Sequence, residues 1–222
     1  MRLLVLFDVD GTLFVKHDPL ASRAMSETLE ERFGVGLPRD PIEPVDHAGQ
    51  TSLRIARLVL EAAGVAHDRI DDGLARWCPR FAERYLELLA AADTGGWRAA
   101  RGAHEALGRL EGASHRLALL TGNPELIARA RMERLGLARF FGVGQGAFGC
   151  ESESRPELIG LARARAGGWP AELTVAVGDT PRDASSALEA GVRSIVVDGE
   201  DLRPAADRLI AWAGEGGPPP QG

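Results

Sequence analysis

Residues 3–7 are apolar at every position and lead directly into Asp8-Val9-Asp10-Gly11-Thr12. An unbroken apolar run of this length predicts a strand buried on both faces of a parallel sheet, because a half-exposed strand would alternate. Runs of the same character at 116–120, 173–177 and 194–197, and a weaker one at 142–148, predict four more strands. Helical spacing of apolar residues lies between them, over 103–111, 124–135, 156–166 and 182–190. Alternation of strand and helix predicts right-handed βαβ units: an α/β fold, a doubly wound parallel sheet with helices on both faces.

The stretch 15–97 breaks that rhythm. Helical patterns occur at 20–33, 52–63 and 74–91, with Gly and Pro clusters between them and no clear strand. The expected organisation is an α/β core from 1–14 and 98–213, an inserted α-helical unit over 15–97, and a disordered Gly/Pro-rich tail at 214–222. Hinges are expected near 14–17 and 93–98, where Thr94-Gly95-Gly96 gives the backbone freedom.

Composition narrows the function more than the fold. A formal net charge of −6 argues against a nucleic-acid partner, which is bound through basic surface. No apolar run approaches membrane-spanning length and no signal peptide is visible, so a cytoplasmic location is expected. Cys78 and Cys150 are too few for a disulfide framework and lack metal-type spacing, so both are expected to be structural thiols.

Several predicted strands end in polar residues suited to one reaction. In open parallel sheets ligands lie outside the carboxyl ends of the strands. Folding would therefore gather Asp8 and Asp10, Thr121, and Asp179 with Asp183. Converging carboxylates invite a small hard cation such as Mg²⁺, and without one they repel each other. A carboxylate can also attack phosphorus, while a hydroxyl, helix-start N–H groups and an arginine such as Arg155 can hold phosphoryl oxygens. Taken singly, Asp-x-Asp-Gly-Thr could be a turn, Thr121-Gly122-Asn123-Pro124 and Asp179-Thr180-Pro181 helix caps, and Arg155 a solvated charge. Their common placement favours a site.

With these residues in view, the sequence resembles the haloacid dehalogenase superfamily, and within it the phosphoglycolate phosphatase-like branch with an α-helical cap. Its motifs appear as Asp8-Val9-Asp10-Gly11-Thr12-Leu13, as a hydrophobic strand ending in Thr121-Gly122-Asn123, as Arg155 before Pro156, and as Gly178-Asp179-Thr180-Pro181-Arg182-Asp183. The resemblance implies a phosphatase acting on a small phosphorylated metabolite. It makes Asp8 the nucleophile and a Mg²⁺ ligand, and Asp10 the general acid and base, with its backbone carbonyl on the metal. Thr121, Gly122 and Arg155 would bind phosphate, Asp179 would complete the metal site, and Asp183 would support it. The family usually has Lys where Arg155 stands, and a planar fork replaces a point cation.

A phosphomutase would use the same core residues, returning the phosphoryl group to a sugar, and is the main alternative. A dehalogenase needs no proton donor, so Asp10 argues against it. Substrate choice is expected from the cap, where Gln50, Thr51 and Arg54, with His47, precede or open a predicted helix. Free N–H groups at that helix start would suit an anionic ligand.

Overall fold

The structure, a computed structural model, describes residues 1–15, 18–38 and 40–215. Five parallel strands form one sheet in the order β3-β2-β1-β4-β5. They are β1 (Leu4–Phe7), β2 (Arg116–Thr121), β3 (Ala147–Phe148), β4 (Thr174–Gly178) and β5 (Arg193–Val196). Central β1 is paired on both edges, Leu4 lying beside Arg116 and Thr174, and Phe7 beside Leu119 and Val177. Its period-2 geometry sends Val5 and Phe7 into one core and Leu4 and Leu6 into another. That explains the unbroken apolar run, and each such side chain contributes about 1.5–3 kcal/mol when buried.

Helices cover both faces. On one lie α4 (Ala103–Gly112), α5 (Glu125–Arg134) and α8 (Arg203–Gly214); on the other lie α6 (Arg155–Arg165) and α7 (Pro181–Glu189). The weak run at 142–148 yields only the two-residue β3. Sequence pattern did not single out α8, although Ala205, Ala206, Leu209, Trp212 and Ala213 of it are buried. Gly214 closes that helix, and 216–222, the rest of the expected tail, lie outside the described residues. So do Lys16 and His17 of the first expected hinge.

Between β1 and α4 come α1 (Pro19–Phe33), α2 (Ser52–Ala62) and α3 (His67–Ala90), packed around their own cluster that includes Met25, Leu29, Leu60, Trp77 and Phe81. The Trp77 indole N–H donates to Thr28 Oγ1 at 2.8 Å, satisfying a buried polar group inside it. Helix α3 begins two turns earlier than the apolar pattern suggests. Its polar start, 67–73, is held by Gly73, where any Cβ would meet the Phe33 ring at 2.4 Å.

The expectation of two free thiols is corrected. Cys78 on α3 and Cys150 after β3 form a disulfide, with Cα atoms 5.9 Å apart and a sequence separation of 72. The two cysteines meet only in the folded chain, so spacing gave no sign of the pair. No helix among the described residues is long and apolar enough to cross a membrane.

Candidate active site

The carboxyl ends of β1, β2 and β4 converge on one point. Asp8 follows β1, and its backbone N–H still donates to Val177 O at 2.9 Å, so the ladder carries it to the sheet edge. Val9 O then accepts from Leu13 and Phe14 at 2.9 and 2.8 Å, folding the chain back in a tight turn. Gly11 lies in that turn at φ +75°, and a Cβ there would fall 2.0 Å from Asp179 Oδ2. The glycine is therefore what lets the first motif approach the fourth. Thr12 Oγ1 donates to Asp179 Oδ1 at 3.3 Å across the same gap.

Oxygen atoms of Asp8, Asp179 and Asp183 lie within 4.8 Å of one another. Burial pushes the Asp8 carboxyl up to about 8; Arg155 opposes this, while Asp183 and Asp10 add to it. Asp179 is also raised, first by burial and then by Asp183. Crowded oxygens held above their ordinary range fit a small divalent cation, which would relieve both desolvation and repulsion. Asp183 has a second task. Its Oδ2 takes the Thr180 N–H at 3.0 Å and the Thr180 hydroxyl at 2.6 Å, closing a capping box at the start of α7.

Arg155 is not a solvated charge. It opens α6 after the Ser154 cap, is buried, bonds Asp183 through Nη2, and lies 3.5 Å from Asp8. Its Nε is buried without a hydrogen-bond partner among the described residues, a donor that an anion could satisfy. Thr121 ends β2, buried, and its Oγ1 accepts from the Asn123 backbone N–H at 3.2 Å.

Asp10 points into the open space, its side chain 53% exposed. It is held by Asn123 Nδ2 and by Arg131 Nη1, the latter at 2.8 and 2.9 Å. Sequence reasoning missed Asn123 as a side-chain partner and missed Arg131 altogether. Asn123 stood beside a recognised motif and could have been included. Arg131 lies in the Arg-rich stretch 129–134, which reads as a solvated face.

A cavity of about 650 Å³ opens over these groups. Asp8, Asp10, Thr121, Gly122, Arg155 and Asp179 line its sheet side; Ser22, Asp40, Glu43, His47, Gln50 and Ile55 line its helical side. The other two residues expected to set specificity lie elsewhere. Thr51 is buried and spends its hydroxyl on the Arg54 N–H at 3.2 Å, capping α2. The Arg54 side chain lies by Glu153, 3.9 Å away, and outside the cavity lining. Nor are the first N–H groups of α2 free for a ligand. Ser52 N donates to Gly122 O at 2.8 Å and Leu53 N to Gly149 O at 3.2 Å, so the helix start docks on the core.

Comparison with known proteins agrees with this geometry. A family profile described as haloacid dehalogenase-like hydrolase matches residues 3–191. A phosphoglycolate phosphatase of Rhodospirillum rubrum is 31% identical over 207 residues, covering 89% of this chain and 80% of that protein. Another from Mesorhizobium japonicum is 30% identical over 210 residues, covering 89% and 83%. Among solved structures, CbbY from Rhodobacter sphaeroides in complex with phosphate superposes with a TM-score of 0.59 at 23% identity, covering 88% of this chain and 86% of that one, a likeness of fold. The chain belongs to the haloacid dehalogenase-like hydrolases, in their phosphoglycolate phosphatase-like branch. It is a phosphatase, an enzyme that hydrolyses phosphoric monoesters.

Proposed function

We propose that the protein hydrolyses a small phosphorylated metabolite in a Mg²⁺-dependent reaction that passes through an aspartyl-phosphate on Asp8. The observation that carries this reading is the meeting of Asp8, Asp179 and Asp183 around the buried, part-unsatisfied Arg155.

The Asp8 carboxylate attacks phosphorus as the ester oxygen departs on the opposite side, and Asp10 gives that oxygen a proton. Asp10, now a carboxylate, takes a proton from the water that attacks the aspartyl-phosphate, releasing inorganic phosphate and restoring Asp8. Arg155 and the Thr121 and Gly122 segment bind the phosphoryl oxygens throughout, with Asp183 holding the guanidinium in place. Mg²⁺ held by Asp8, Asp179 and the Asp10 carbonyl, with Asp183 beside it, would neutralise the charge of the crowded oxygens.

The cavity guides the choice of substrate. It exceeds what a phosphoryl group fills, and its helical side carries Asp40, Glu43, His47 and Gln50. A neutral, hydroxylated leaving group suits that lining better than the carboxylate of phosphoglycolate. A panel of phosphorylated sugars and polyols, with phosphoglycolate included, should give its highest kcat/KM on a neutral polyol ester. Phosphate should be released only with Mg²⁺, and acid quenching should trap a phosphorylated protein that Asp8→Asn does not form. Full turnover in excess chelator, or no label on the wild-type chain, would sink the mechanism.

A further inference from the structure

Arg131 projects from α5, on the sheet side of the molecule, and is 2% exposed, yet it lines the active cavity. Its guanidinium joins two carboxylates from different layers. Nη1 donates to both oxygens of Asp10, at 2.8 and 2.9 Å, and to Asn123 Oδ1 at 3.2 Å. Nη2 donates to Asp18 Oδ2 at 2.8 Å, while Nε reaches the same oxygen and the Tyr85 hydroxyl, each at 3.2 Å. Asp18 caps α1, and Tyr85, on α3, donates to it at 2.6 Å. The rings of Phe14 and Tyr85 stand 5.4 Å from the guanidinium carbon. A buried arginine with Asp18 alone would be a structural ion pair. Here the fork leaves the buried cluster and ends on a carboxylate that is otherwise open to solvent.

We infer that Arg131 is a positioning residue, whose guanidinium, anchored by Asp18 and Tyr85, fixes the Asp10 carboxyl where it meets the ester oxygen. This rests on the reading of Asp10 as the proton donor. A free Asp10 side chain samples several rotamers, and only those aimed at the leaving oxygen can protonate it. Only a planar fork spans Asp10 and Asp18 at once; a lysine cannot.

The test uses a series of aryl phosphates graded from an acidic nitrophenol to a weakly acidic methoxyphenol, because a poor leaving group depends on proton donation and a good one does not. Arg131→Met alone would strand the buried Asp18 charge, so the double variant Arg131→Met/Asp18→Asn removes the pair together. Thermal melting confirms folding; if the double variant does not fold, Arg131→Lys is measured in its place. Expected is a loss in kcat/KM of up to about tenfold on the nitrophenyl ester, growing to about a hundredfold on the methoxyphenyl ester. A uniform loss along the series, or none, overturns the role of Arg131. Asp10→Asn run alongside separates the two readings. If it too loses activity uniformly, the assignment of Asp10 fails; if it steepens the series and the Arg131 variant does not, only the positioning role fails.

Discussion

The backbone N–H of Ser52, the first residue of α2, donates to the carbonyl of Gly122 at 2.8 Å, and this contact exists because residue 122 has no side chain. A Cβ on Gly122 would stand 2.1 Å from Gln50 O, backbone against backbone, with no flexible atom to give way.

Gly122→Ala should therefore push the 47–52 loop off the core without unfolding either layer. Turnover on every ester is expected to fall by about a hundredfold, the scale of an ångström misplacement in a catalytic unit. The far-UV circular dichroism should stay that of the wild type. Wild-type kinetics would mean that the loop can seat elsewhere.

Asp8→Asn should separate activity from stability. If Asp8 is the nucleophile, turnover should fall by about five to six orders of magnitude. The metal-free protein should nevertheless melt higher than the wild type, because it no longer buries a carboxyl among carboxylates. A lower melting temperature would show that the attraction of Arg155 for the Asp8 carboxylate outweighs its desolvation.

The same carboxyl sets a pH dependence. Its native pKa of about 8 lies above its ordinary value of 3.8, so between those values the folded state holds more proton than the unfolded one. Stability from this group is complete at low pH and is lost as pH rises towards 8. On the proposed reading Mg²⁺ would bind only the folded, deprotonated site, so its stabilising effect should run the other way. Melts at pH 5.5 and pH 8.5, with Mg²⁺ or with chelator, should show the larger Mg²⁺-induced rise at the higher pH. An equal rise at both would place the ion away from Asp8.

Gln50 and Arg54 should behave differently despite their proximity. Gln50→Ala removes a cavity-lining amide and is expected to lower kcat/KM on the physiological ester by about ten- to a hundredfold, sparing a small aryl phosphate. Arg54→Ala alters a half-exposed side chain beside Glu153 and should change neither by more than about twofold. Equal losses for the two variants would reinstate the arginine as a substrate contact.

Reduction should be costly. Closing a loop whose ends are separated by 72 positions contributes about 4 kcal/mol in the chain-entropy model, or roughly 8–16 °C in a protein of this size. A reductant, or Cys78→Ser with Cys150→Ser, should lower the melting temperature to the same value. A midpoint indifferent to reductant would mean that the two sulfurs do not pair in solution.

How legible the molecule was depended on the range of the interactions. Strands β1, β2 and β4 could be read because both faces of each are buried, and the motifs because each sits within a few residues of a strand end. Asp179 and Asp183 were visible together for that reason. The α8 pattern was present in Ala205, Leu209 and Trp212 but lay past the last recognised motif. Long-range pairings left no local mark. Arg131 and Asp10 are 121 residues apart, and Arg131 among neighbouring arginines carries nothing in its sequence that separates a buried fork from a solvated one. The anion-binding role expected for the α2 start failed similarly: its N–H groups are real, but the carbonyls of Gly122 and Gly149 reach them first.

The disulfide has a mechanical meaning beyond its loop. Besides the chain on either side of it, the α1–α3 layer is held to the sheet by contacts that can part, such as the Ser52 N–H on Gly122 O and Arg131 on Asp18. Cys78–Cys150 adds a covalent tie, from α3 to the segment after β3, that does not part. While the two sulfurs stay joined, α3 cannot part from residue 150, so the layer has no large swing available to it.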